Sequence, residues 1–241
     1  MRRTLHFLAI LTAAAFVLLS CSAKLANQKG LTASDLFSRG QQKLAKKKYD
    51  SAIEHFQVLL ERFPTSPLAP RAQLALADAY MENKDNVEAE VGYDDFLRLY
   101  PASDNVPYAL SRKGELLFRQ AGKPGRDQTK TVEAIRTYQL LLDKNPSSPY
   151  AAVAARRIAE LRNRLAENEV AVVSHYLTRK KYESAEARAR RAVADYPDTT
   201  SLPTLMSLLA NALDRQGKKE EAAEVRKSLR EKFPGTGDKK R

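Results

Sequence analysis

The sequence predicts an all-α protein built of consecutive helix pairs, and three observations carry that prediction. An alanine is followed twelve residues later by a proline five times, at Ala52/Pro64, Ala89/Pro101, Ala134/Pro146, Ala185/Pro197 and Ala222/Pro234. Between these markers apolar residues recur at offsets of 4, 7, 8 and 11 in the first two units, the spacing of one face of an α-helix. Thirteen residues after each of the first four prolines stands another small residue, Ala77, Gly114, Ala159 or Ala210. Each alanine-to-proline interval is the second helix of a pair, and each small residue after a proline marks the first helix of the next pair.

The elements follow in order. The opening unit has a first helix marked by Gly40, twelve residues before Ala52, and a second helix whose inner face is Ala52, Phe56, Leu59, Leu60 and Phe63. Pro64 ends it, because proline lacks a backbone N–H and disfavours helical geometry in the residue before it. The second unit has Ala77 on its first helix, an Asn/Asp-rich turn from Met81 to Val87, and a second helix with Ala89, Tyr93, Phe96, Leu97 and Tyr100 inward. In the third, Gly114 and Ala134 lie twenty residues apart, eight more than the regular interval, and the breaker-rich segment from Gly122 to Thr129 supplies those eight as a loop. In the fourth, Ala159 and Ala185 lie twenty-six apart, with no Gly or Pro between Tyr150 and Tyr196. That excess predicts a single first helix from about Pro149 to Arg179, about 45 Å long at 1.5 Å per residue. The fifth unit is marked by Ala210 and Ala222. Four residues after the alanine stands a large aromatic ring in three units, Phe56, Tyr93 and Tyr138, but Ala189 and Arg226 in the last two.

A small residue, twelve steps, an alanine, twelve steps and a proline is the tetratricopeptide pattern. The expected fold is therefore a tetratricopeptide-repeat superhelix of about five helix pairs with an elongated first helix in the fourth repeat. Residues 33–148 would form N-terminal repeats 1–3, residues 149–234 C-terminal repeats 4–5, and residues 235–241 a basic tail. Stacked pairs of this kind offer a continuous surface for other polypeptides, which points to holding partners and not to catalysis.

The first residues give the address. Arg2 and Arg3 precede an apolar stretch from Leu5 to Leu19, which is short for a spanning helix and reads as a cleaved export signal over residues 1–20. Leu18-Leu19-Ser20-Cys21 resembles the bacterial lipobox, which implies cleavage before Cys21 and attachment of acyl chains such as palmitate to that residue. Residues 21–32 would then be a lipidated tether. A lone cysteine forbids an intramolecular disulfide even in an oxidising compartment, so stability rests on helix packing.

Without the two signal arginines the formal charge falls from +12 to +10, and most of the excess lies late in the chain. Residues 149–241 hold 20 basic and 13 acidic side chains, against 19 and 16 in residues 21–148. Export makes nucleic acid an unsuitable counterpart, leaving an acidic protein surface or anionic lipid.

No chemistry emerges from the side chains. His6, His55 and His175 are too far apart for a metal pair, and His55 reads as a surface residue of its helix. The Gly122–Gly125 loop lacks the Lys-Ser/Thr ending of a phosphate cradle. Basic runs at Lys46–Lys48, Arg179–Lys181 and Lys239–Arg241 suit helix ends, where cations meet the negative end of the dipole. No catalytic residue, metal site or cofactor is expected beyond the covalent lipid.

Several stretches are more specific than the repeat: Tyr49–Phe56, Phe63–Pro70, Arg126–Thr129, Leu161–Glu169 and Ala194–Thr199. On these the chain, from Ala33 to about Pro234, resembles the BamD family of lipoproteins of the outer-membrane β-barrel assembly (BAM) machinery. The resemblance implies a scaffold on the periplasmic face of the outer membrane, anchored by lipid. Its C-terminal repeats would dock a BamA-like barrel insertase, and its N-terminal repeats would meet unfolded outer-membrane protein precursors or accessory BAM lipoproteins. Arg188 falls where the family carries an arginine that pairs with an acidic residue of BamA. Two alternatives stay open at this point: another periplasmic repeat lipoprotein coordinating cell-wall or division machinery, and a murein hydrolase on a repeat-like fold.

Overall fold

A computed structural model describes residues 30–234, and every regular element among them is an α-helix. The ten helices are α1 (Ala33–Ala45), α2 (Tyr49–Arg62), α3 (Ala69–Asn83), α4 (Asn86–Leu99), α5 (Val106–Gln120), α6 (Thr129–Lys144), α7 (Ala151–Thr178), α8 (Tyr182–Asp195), α9 (Leu202–Arg215) and α10 (Lys219–Lys232). The chain divides into two compact units that meet in sequence between Glu88 and Ala89. Signal, Cys21 and basic tail, as read from the sequence, lie outside the described residues.

In the first unit α1 starts at a reciprocal cap. The Thr32 hydroxyl accepts from the Asp35 N–H at 3.2 Å, and the Asp35 carboxylate accepts from the Thr32 N–H at 3.0 Å. Helix α2 ends one residue before Phe63, whose N–H closes the last turn on the Leu59 carbonyl at 2.8 Å, with Pro64 next. Leu36, Ala52, Phe56, Leu59, Ala72 and Ala79 are fully buried and form the core, against which Leu60 and Phe63 are half-buried. Gly40 explains how α1 and α2 come so close. A Cβ there would lie 2.5 Å from Cε1 of Phe56, so the ring occupies the space a side chain would need. His55 is half-buried on its helix; its Nδ1 donates to the Ser51 carbonyl at 2.6 Å, which ties it to its own helix.

The second unit repeats the device. Tyr138 of α6 lies over Gly114 of α5, where a Cβ would be 2.5 Å from the tyrosine Cε1, and both belong to a core completed by Leu110, Leu117, Ala134, Leu141, Ala154 and Leu161. The last two of these come from α7. That helix is 28 residues long, about 42 Å at 1.5 Å per residue, and it continues into another core with Val173, where Ala185, Ala189, Leu209, Leu213 and Ala222 meet it. Its Ala166 packs with Ala192 and Leu205 between the two.

Ala159 lies on α7, the first helix of its pair, as the count from Pro146 places it, but not on the buried face. Ala159 is exposed, and the buried residue twelve positions before Ala185 is Val173. The interval counted from Pro146 lands in the part of α7 that packs on α6, where Leu161 faces inward. Two residues back along a helix is a turn of about 200°, which points Ala159 to solvent.

Candidate docking surface on the C-terminal unit

The middle of α7 reaches out in three directions. Its apolar residues Leu161 and Ala166 are buried, which leaves the polar residues around them to face the neighbouring loops and α8. Arg162 holds the carboxylate of Asp198 through Nε at 2.9 Å and Nη2 at 2.5 Å, donates to the Asp195 carbonyl at 2.9 Å, and lies 5.6 Å from the centre of the Tyr196 ring. Asn163 accepts from the N–H of Thr200 at 2.8 Å and from its hydroxyl at 3.0 Å. These bonds pin the turn between α8 and α9. In the opposite direction Arg164 donates to the Ala121 carbonyl at 3.1 Å, and Asn168 accepts from the Gly125 N–H at 2.8 Å. The loop between α5 and α6 is thereby fixed along its length, helped by Gln128, which donates to the carbonyls of Lys123 and Arg126.

Glu169 completes the series. Its two oxygens accept from Nε and Nη2 of Arg188 at 2.5 and 2.8 Å, a bidentate bond that joins α7 to α8. The Glu169 side chain keeps 14% of its surface exposed and that of Arg188 keeps 44%. The side chain is thus tied at its guanidinium end to Glu169 while nearly half of it stays exposed, and the Glu169 hydrogen bonds raise its pKa further. The paired Arg162 likewise holds the Asp198 carboxyl below its usual range.

The other two arginines of α8 go elsewhere. Arg190 sits on Glu186 at 2.9 Å and also pairs with Glu221 of α10, while Arg191 reaches forward to Asp195 at 3.3 Å. Glu186 is buried, and Lys218, Arg190 and Gln216 together hold its carboxyl at about 2, Lys218 being the largest influence. The basic face read from the sequence on α8 is therefore three differently committed side chains, of which Arg188 is fixed on the α7 side. Sequence reasoning singled out Arg188 and the Leu161–Glu169 and Ala194–Thr199 stretches separately. It missed that Arg162 and Glu169 join all three, for which the clustering of Arg, Asn and Glu on a strongly helical segment was the available signal.

A second feature lies in the same unit between α4, α5 and α6. Leu97, Pro101, Val106, Leu110 and Leu140 line a groove of 400 Å³ with Lys113 and Lys144 at its edge. Among the described residues no group of three or more His, Cys, Asp or Glu side chains could hold a metal, and no helix is long and apolar enough to cross a membrane.

Comparison with known proteins gives the family. Residues 29–229 match the family model YfiO, described as outer membrane lipoprotein. The chain is 31% identical over 209 residues to the outer membrane protein assembly factor BamD of Neisseria meningitidis serogroup A, covering 83% of this chain and 78% of that protein. It is 27% identical over 241 residues to the protein of the same name from Xylella fastidiosa, covering 95% and 82%. Among solved structures, the TPR2AB-domain:pHSP90 complex of yeast Sti1 aligns with a TM-score of 0.48 at 18% identity, over 84% of this chain and 78% of that one.

Proposed function

This chain belongs to the YfiO family of outer membrane lipoproteins, and from that premise we propose that it is a non-catalytic scaffold for assembly and insertion of β-barrel proteins into the outer membrane, docking a BamA-like insertase through α7 and α8. The observation that carries the docking reading is the half-exposed Arg188 guanidinium held in a fixed orientation by Glu169. A pre-oriented cation loses little conformational freedom when an acidic partner residue approaches, so more of the interaction appears as affinity. The apolar groove between α4, α5 and α6 suits a hydrophobic segment of an unfolded barrel precursor. Cys21 carries the lipid anchor, and several acyl chains on one residue confine the scaffold to the membrane plane, raising the effective concentration of barrel partners.

Recovery of the insertase from solubilised envelopes tests the site. Wild type should recover it. Arg188→Ala should weaken recovery at least about tenfold, equivalent to about 1.4 kcal/mol. The exchange Arg188→Glu with Glu169→Arg restores the bond between the helices but moves the cation, and it should remain defective. If the exchanged protein binds like wild type, Arg188 serves helix packing and the docking role is lost. Cys21→Ala should leave a helical protein released from the membrane fraction. Recovery of a peptidoglycan synthase in place of the insertase would favour a cell-wall coordinator.

A further inference from the structure

The cations of the α7–α8 turn find no role in the docking reading. This turn and the α9–α10 turn lie side by side, as Gln216 donates to the Tyr182 carbonyl at 3.2 Å and Lys218 bonds Glu186 at 2.7 Å. Between them opens a cleft of 960 Å³ lined by Lys180, Lys181, Arg190, Arg215 and Lys218, with Glu183 and Glu186 as its carboxylates. Arg190 and Lys218 are consumed by Glu186, at 2.9 and 2.7 Å. Lys180, Lys181 and Arg215 are exposed, and among the described residues their side chains have no ion-pair or hydrogen-bond partner. Arg190 and Arg188 are two residues apart on α8, about 200° around the helix, so this cleft faces away from the docking arginine.

Lys180 has φ of 57°, as Lys47 (55°) and Lys84 (70°) have at other turns, so its left-handed backbone is shared with those turns and the case for the cleft rests on its unpaired cations. Three unpaired cations clustered at one end of two adjacent helix pairs suit a compact anion carrying several oxygens presented by a flat surface. An acidic peptide lying along a groove would instead need cations spaced along the helices.

We propose that this cleft binds the phosphate of an anionic phospholipid headgroup, with Lys180, Lys181 and Arg215 as its ligands and the Glu186 network as a rigid floor. The lipid source rests on the outer-membrane reading above, which places the protein beside a phospholipid leaflet. Each cation near an anionic surface adds attraction, and three together give a preference of at least about tenfold over a zwitterionic lipid.

Native mass spectrometry of the acylated protein, released from detergent after mixing with phosphatidylglycerol or phosphatidylcholine, tests it. Phosphatidylglycerol should be retained at least about tenfold more. The variant K180Q/K181Q/R215Q should lose that preference, while K46Q/K47Q/K48Q, with the same change in charge, should keep it. Single R215Q, on the exposed last turn of α9, should give an intermediate value and serves if the triple variant loses helicity. An equal loss in both triple variants would reduce the effect to net charge and overturn the site. Displacement of the lipid by excess inorganic phosphate, or by hexaglutamate, would overturn the lipid in favour of free phosphate or an acidic protein. Insertase recovery from the same wild-type preparation separates the two readings: recovery without lipid preference sinks only this proposal, and no recovery sinks the scaffold on which it rests.

Discussion

Helices α2 and α8 are both second helices of their pairs, yet different forces hold them. In α2 the position four after the alanine is Phe56, a ring pressed onto Gly40 with no exposed surface. In α8 it is Ala189, also fully buried but supplying a single methyl group, and the inward row is Ala185, Ala189 and Ala192. What α8 lacks in apolar volume it replaces with directed bonds, Arg188 to Glu169 and Glu186 to Lys218, Arg190 and Gln216. Burial of a ring is indifferent to orientation, whereas a bidentate ion pair fixes the angle of the side chain that makes it. The helix expected to meet a partner is the one whose exposed side chains are held by orientation.

The largest test of this contrast is Phe56→Ala, expected to destabilise by about 3–5 kcal/mol through lost burial and the cavity left behind. Ala189→Gly removes only one methyl group, so urea unfolding should show a much smaller change. Comparable losses would mean that α8 depends on its row of methyl groups as much as α2 depends on its ring. Next, Gly40→Ala and Gly114→Ala each force a Cβ to 2.5 Å from an aromatic ring and should cost about 1–3 kcal/mol by overpacking. A neutral result at either position would show that the ring can shift and that the close approach is not required.

The smallest effect concerns acid. The Glu186 carboxyl sits at about 2 in the folded protein against an ordinary 4.5. A depressed folded value means that its contribution is complete above 4.5 and disappears as the pH falls toward 2. Glu186→Gln should therefore lower stability at neutral pH and flatten the acid side of the stability profile, read by helicity in urea at several pH values. An acid limb identical to wild type would assign the loss to other carboxylates, such as Asp198 and Asp214, which are also held below their usual range by arginines.

Much of the helix order was legible because each helix needs only a local pattern. The interval from alanine to proline falls on helices ending at Arg62 and Leu99, one residue short of Phe63 and Tyr100. The breaker-rich segment after Gly122 is a loop in the structure. Ala159 falls on the expected helix but off its buried face, because α7 serves two cores and nothing in a periodic pattern says where the service changes. The site was legible in fragments. Arg188 and the Leu161–Glu169 stretch could be picked out, but their bond joins residues nineteen positions apart on different helices.

By itself the sequence determined that the described chain is helical, where its helices break, and which face turns inward on all but the long α7, because apolar spacing, small residues and prolines act over one or two turns. Tertiary structure alone decided which charges are spent and which remain. Arg190 and Lys218 are consumed by a buried carboxylate, while Lys180, Lys181 and Arg215 are left to solvent, although all five are cations in the same composition. The physical reason is distance: an ion pair depends on angstroms between side chains from separate helices, and only the packing of those helices sets that separation.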